Sequence, residues 1–173
     1  MNVRRSFQVE LPVSPEWGAI EPLRQTIVAC LRAIFSDLQV CESLAMVAGE
    51  LLENAVKFGA RPPGREPGLR LWVVGDELGV GIEVSNQVLP SDPGVARLIE
   101  ELERIHRAPS PREAYLDALR RVALGGGKSG LGLSRIAHEG GCDLSFIEED
   151  GLLLVRANTR SLQPRPPTPA PPA

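Results

Sequence analysis

Residues 41–58 read CESLAMVAGELLENAVKF, and the spacing inside this stretch decides how the rest of the chain is laid out. Leu44, Val47, Ala48, Leu51, Ala55 and Phe58 recur at helical intervals, which predicts an amphipathic helix with one apolar face. Glu50, Asn54 and Lys57 follow one another at i, i+4 and i+7 and form a second stripe. At about 100° per residue that stripe borders the apolar face. Half-buried carboxylates and amides are satisfied by some partner. Two readings therefore stand together: a solvated flank of a core helix, and a stripe that holds a ligand.

Upstream of this helix, Phe7, Val9, Leu11 and Val13 alternate with polar neighbours, predicting a strand over 4–13. Ser14 followed by Pro15 reads as a helix start, with Leu23, Ile27, Leu31, Ile34, Phe35 and Leu38 on one face. Downstream, the organising helix is expected to end near Gly59, and ARPPGREP at 60–67 to be a loop. Strands over 69–75 and 80–85 should form an antiparallel hairpin across DELG. Val95, Leu98, Leu102 and Ile105 mark a helix with charged residues opposite, whose apolar face suits either a core or a protein partner. Ser110-Pro111-Arg112-Glu113 is a capping box that opens a further helix to about Leu124. LGLSRIAHEGG at 131–141 reads as a short helix stopped by Gly140 and Gly141. A last hairpin joins 143–148 to 152–157 across Glu149-Asp150-Gly151. The order β-α-α-β-β-α-α-α-β-β implies an α+β fold: a two-layer sandwich of a mixed, largely antiparallel sheet with helices packed on one face. Residues 1–160 read as one domain, and the proline-rich SLQPRPPTPAPPA at 161–173 as a disordered tail.

Composition bounds the function. With 43% hydrophobic and 24% charged residues the chain reads as a globular domain. No apolar run approaches the roughly 20 residues that span a bilayer. MNVRRSFQVELPV lacks a signal-peptide apolar block, so a cytoplasmic location is expected. Cys30, Cys41 and Cys142 are odd in number and widely spaced, as expected for reduced, buried thiols without a disulfide framework or zinc site. A net charge of −3 argues against a nucleic-acid partner. The only lysines, Lys57 and Lys128, fall within the two stretches that carry the chemistry.

The second of those stretches is GGGKSGLG at 125–132. A Walker phosphate loop would need glycine where Val122 stands, and the dinucleotide fingerprint must follow a strand, whereas here a capped helix comes first. What remains is a hinge between helices or a lid whose backbone N–H groups and following helix N-terminus hold phosphates.

Taken together, these pieces resemble the ATP-binding fold shared by gyrase, Hsp90, histidine kinases and the MutL repair proteins, the Bergerat-type fold, from the first strand to about Asn158. Glu50-Leu51-Leu52-Glu53-Asn54-Ala55-Val56-Lys57-Phe58 is close to that family's N box. The resemblance implies that Asn54 ligates the magnesium bridging the phosphates and that Lys57 lies near them. It also puts Glu50 where the general base stands, a carboxylate able to orient and deprotonate a hydroxyl or water. Gly130-Leu131-Gly132-Leu133 resembles the second glycine box, with Gly127 and Lys128 in the lid before it. The first glycine box departs from the family pattern. Asp76-Glu77-Leu78-Gly79-Val80-Gly81 has similar letters but sits in a hairpin turn, and Asn86 occupies the expected place after the second strand. There the adenine-binding aspartate has become Asn86, and the two glycines have become Val88 and Pro90. Asparagine still accepts a hydrogen bond, as a weaker neutral acceptor, while proline cannot take a positive φ.

Within that family the length, the carboxylate at Glu50 and the lack of a preceding helical hairpin are most similar to the anti-sigma-factor serine kinases of bacterial partner switching. This implies ATP and Mg2+ as cofactors and a STAS-type antagonist or sigma-like effector as protein partner, with a homodimer left open. The alternative is a fold kept as a protein-interaction module without catalysis. His106 and His138 are the only histidines, and His106 reads as a surface residue, not a phosphoacceptor.

Overall fold

The structure is a computed structural model, and it describes residues 6–59, 68–76, 78–89, 92–125 and 130–160. Five strands and five helices follow the expected order. They are β1 (Phe7–Pro12), α1 (Trp17–Arg32), α2 (Leu38–Phe58), β2 (Arg70–Asp76), β3 (Gly79–Gln87), α3 (Pro93–Arg107), α4 (Pro111–Ala123), α5 (Leu131–His138), β4 (Cys142–Glu149) and β5 (Leu152–Thr159). The strands form one sheet in the order β1-β2-β3-β5-β4. Every pairing is antiparallel, so the parallel component of a mixed sheet is absent among the described residues.

Side chains alternate across a strand with period two, and burial follows that alternation. Leu71, Val73, Val80, Ile82, Val84, Leu153, Val155 and Ala157 are buried, while Trp72, Val74, Ile147 and Leu152 on the other side are exposed. The helices pack on the first side. α2 lies against β3, α1 covers α2, and α5 joins α2 to β4. α2 is the axle of this layer: Cys41, Leu44, Ala45, Val47, Ala48, Leu51, Leu52 and Ala55 are buried along it. The small residues Ala45, Ala48 and Gly49 let its backbone run close to its neighbours.

Local signals explain the boundaries. Asp37 caps α2, its carboxylate accepting from Gln39 N at 2.9 Å and Val40 N at 3.4 Å. That cap divides the long apolar stripe read from Leu23 to Leu38: α1 stops at Arg32, and Leu38 opens α2 instead of closing α1. Ser14 does not cap α1 either. Its carbonyl accepts from Glu16 N at 2.8 Å in a tight turn, and the helix starts two residues later than read, at Trp17 with Glu16 as its N-cap. Ser110 caps α4 as read, its Oγ accepting from Glu113 N, the N-cap half of the expected capping box. Asp92 caps α3 in the same way through Gly94 N.

α3 resolves one open expectation. Val95, Leu98, Leu102 and Ile105 are buried, so its apolar face belongs to the core. The thiols need one correction: Cys41 and Cys142 are buried, but Cys30 is exposed. His106 is exposed as read, with Nε2 2.7 Å from the carbonyl oxygen of Leu144. No helix among the described residues is long and apolar enough to cross a membrane. The loop expected at 60–67 and the tail at 161–173 lie outside the described residues.

Candidate functional site

The two motif stretches, far apart in sequence, meet where α2 passes the start of α5. Gly130 is the N-cap of α5 with φ +86°, a left-handed conformation that glycine takes without steric cost. Gly132, the second residue of α5, faces Glu50: a methyl group added to Gly132 would collide with Glu50 Oε2 and lie 3.2 Å from its Cδ. The other carboxylate oxygen, Oε1, accepts from Arg135 Nη1 at 3.2 Å. Arg135 is also held by Glu139 at 2.8 Å. Burial pushes the Glu50 carboxyl above the ordinary carboxylate range, and the nearby Glu53 pushes the same way; Arg135 opposes them. A carboxylate raised in this manner is closer to the proton affinity of a general base.

Asn54 lies one turn further along α2. It is half-buried, and its Nδ2 is fully enclosed with no hydrogen-bond partner among the described residues. An enclosed donor without an acceptor costs about 1–3 kcal/mol, so this amide is suited to a ligand oxygen. Ser134 Oγ, on α5, is a second enclosed polar atom without a partner among the described residues.

The other sequence-derived residues divide. Lys57 is exposed, and its Nζ stands 5.0 Å from the ring centroid of Phe58. That ring packs against Gly94, so Lys57 belongs to the junction of α2 with α3. Asn86 is buried on the inner side of β3, its Nδ2 donating to Ala55 O at 3.4 Å and Gln87 O at 3.3 Å. These two bonds fix the orientation of the amide and leave Oδ1 as its acceptor atom. Leu131 is the first residue of α5. Gly127 and Lys128 lie outside the described residues. Glu50, Asn54, Gly130 and Gly132 thus fall on the neighbouring stretches of α2 and α5, whereas Lys57 and Asn86 mark the C-terminal end of α2.

Two groups escaped the sequence reading. Arg135 is one. The other is Glu101 on α3, only 4% exposed and lying against Gly130: a methyl group there would sit 2.8 Å from Glu101 Oε1. Arg121 on α4 grips this carboxylate with two bonds, 2.8 and 2.5 Å, and Arg104 adds a third at 3.1 Å. The helical wheel carried a signal for Glu101, which stands three residues after Leu98 and four before Ile105, beside the apolar stripe.

Two grooves flank these groups. One of about 640 Å3, between α1, α2 and α5, is lined by Trp17, Met46, Gly49, Glu50, Glu53 and Arg135 among others. The other, about 530 Å3, runs between α3 and α4 past Glu101, Ile105, Ala114 and Arg121. Glu50 therefore forms a wall with an open groove on one side and the α5 glycine turn on the other.

No protein-family model and no curated protein matches this chain.

One group here is a donor suited to a phosphate oxygen, the orphaned Asn54 amide, whereas the N-terminus of α5 is itself met by two carboxylates, Glu101 against Gly130 and Glu50 against Gly132. No cluster of three His, Cys, Asp or Glu side chains suited to a metal occurs among the described residues. A magnesium ion would thus depend on Asn54 and on phosphate oxygens, its usual preference for few protein ligands.

Proposed function

We propose that this chain is a bacterial regulatory protein of the anti-sigma-factor serine-kinase type, which binds Mg-ATP and phosphorylates or sequesters a small protein partner in the cytoplasm. On this reading its α+β fold is of the Bergerat type. The observation that carries the proposal is the position of Glu50, between the open groove and the α5 glycine turn. A phosphate held at the turn would lie on one side of the carboxylate, and a serine hydroxyl of a STAS-type partner entering by the groove would reach the other. Glu50 then orients that hydroxyl and takes its proton, while Asn54 positions the metal and the phosphates. Bound Mg-ATP supplies the phosphoryl group and the neutralising charge.

A second reading, a protein-interaction module without catalysis, is favoured by one observation: the Glu101 carboxylate already lies against Gly130, where the phosphates would go. Titration calorimetry with Mg-ATP, Mg-ADP and Mg-GTP separates the two. Magnesium-dependent ATP binding that is lost in Asn54→Ala, with transfer to a STAS domain lost in Glu50→Gln, is the expected result. No binding at millimolar ATP in the wild type or in variants at Glu101 would leave protein recognition alone.

A further inference from the structure

We infer that the outer face of the sheet, turned away from the helices, is the docking surface for a second copy of this chain. It carries two apolar patches. Trp72 and Val74 on β2 form one; Leu152 and Leu154 on β5, with Ile147 on β4, form the other. Trp72, Val74, Leu152 and Ile147 are 40–58% exposed. Apolar surface gathered in this way marks a site of association. Between the patches stands one ion pair: Glu83 on β3 lies opposite Trp72 on one side and Arg156 on the other, and accepts from Arg156 Nε at 2.8 Å.

Three properties of the face select a second copy as the occupant. The first is charge. Arg70 is paired with Glu10 at 2.9 Å, Arg160 with Asp143 at 2.7 Å, and Arg156 with Glu83. Asp76 and Glu149 stand at the hairpin turns, on the rim. An identical face can therefore meet this one without burying a lone charge. The second is area. Five strands ~4.8 Å apart, each about eight residues long at ~3.4 Å per residue, give a flat area of roughly 650 Å2. Side-chain relief raises this toward the ~800 Å2 per partner of a standard interface. The third is shape. A cleft of about 320 Å3 opens beside Gly81, walled by Trp72, Val74 and Asn158, while Ile147 protrudes from the other patch. A two-fold rotation that sets Ile147 of each copy in the cleft of the other also lays Trp72 and Val74 over Leu152 and Leu154. The two Glu83–Arg156 pairs then meet near the axis as one neutral cluster. Such a dimer needs no nucleotide, and the groove beside Glu50 stays open on both copies, because it belongs to the helix layer.

Sedimentation of the full chain from micromolar to near-millimolar concentration should show a reversible dimer of twice the 18.7 kDa chain mass. Trp72→Arg and Ile147→Glu, both at exposed positions, should each raise the dimer Kd at least tenfold with the circular dichroism spectrum unchanged. Mixed in equal amounts, the two variants should recover a Kd within tenfold of the wild type. In the mixed dimer one contact joins the new arginine to the new glutamate, and the other keeps the native pair. A wild type that stays monomeric, or that assembles beyond a dimer, overturns the inference. So does a dimer that survives either substitution, or a mixture that stays monomeric. Should a variant misfold, hydrogen exchange on the wild type decides. Dilution should speed exchange over residues 70–76 and 145–154 and leave α3 and α4 unchanged; equal protection of the sheet at both concentrations overturns the interface.

Discussion

Leu102→Ala tests whether α3 is a structural part of the domain or a helix free to serve a partner. Leu102 is fully buried, with Leu98 and Ile105 on the same face. Truncation to alanine removes the transfer free energy of the lost methyl groups and leaves a cavity, together about 3 kcal/mol within a range of roughly 2.7–5. Alanine is the better helix former, so helix propensity does not add to the loss. For a domain of this size each kcal/mol lowers Tm by about 2–4 °C, which predicts a drop of about 6–12 °C. Urea unfolding monitored by circular dichroism should show a lower midpoint with an unchanged slope, since the same surface is exposed on unfolding. Leu119→Ala on α4, at a side chain 38% exposed, serves as the control and should stay within about 0.5 kcal/mol. A loss below about 1 kcal/mol for Leu102→Ala would refute the packing and return the apolar face of α3 to a partner.

Glu50→Gln should gain on the wild type as pH rises from 4 to 7. Because burial raises the Glu50 pKa, the stability its carboxyl contributes is full below the unfolded value, about 4.3, and is lost as pH climbs through the folded value. Denaturation at each pH measures the gap, and a gap that closes with rising pH would contradict the sign. Gly130→Ala should cost at least about 1–2 kcal/mol, from the left-handed backbone at φ +86° and from pressure on Glu101; an unchanged urea midpoint would oppose it. With a thiol reagent at pH 8, Cys30 should react quickly in the native protein. Cys41 and Cys142 should wait for unfolding, the Cys142 thiol being pushed up to about 11 by burial. Rapid reaction of all three thiols would contradict that burial.

The helices and hairpins were legible because their determinants are local. The apolar period of α2, the capping box at Ser110 and the turn between β2 and β3 are each decided within a few residues. The Asp37 cap was equally local, but an apolar stripe running across it hid the break. The site was legible only where a motif held it. Glu50 and Gly132 could be named from their own neighbourhoods. That Arg135 pairs with Glu50, or that Arg121 buries Glu101, depends on which helices become neighbours. Charge patterning along a single helix treats Glu101 as one more solvated carboxylate, and only the packing of α3 beside α4 and α5 takes it out of water.

The pairing of β3 with β5 has a consequence for how the domain is made. Gln87 lies opposite Leu152, so residues 88–151, with α3, α4 and α5 among them, form a loop that this pairing must close. Closing some 60 residues costs on the order of 4 kcal/mol of chain entropy before any cross-strand contact returns it. Non-local pairings of this kind set the pace of folding, and β1 with β2 is another, since Pro12 lies opposite Arg70, while the β2–β3 hairpin and the α1–α2 pair form from nearer segments. β5 carries β4 at the sheet edge, and α5 leads directly into β4, so the glycine turn reaches Glu50 from the late-joining half. A nascent chain arrested before β5 emerges would own every residue of the site and still lack the site.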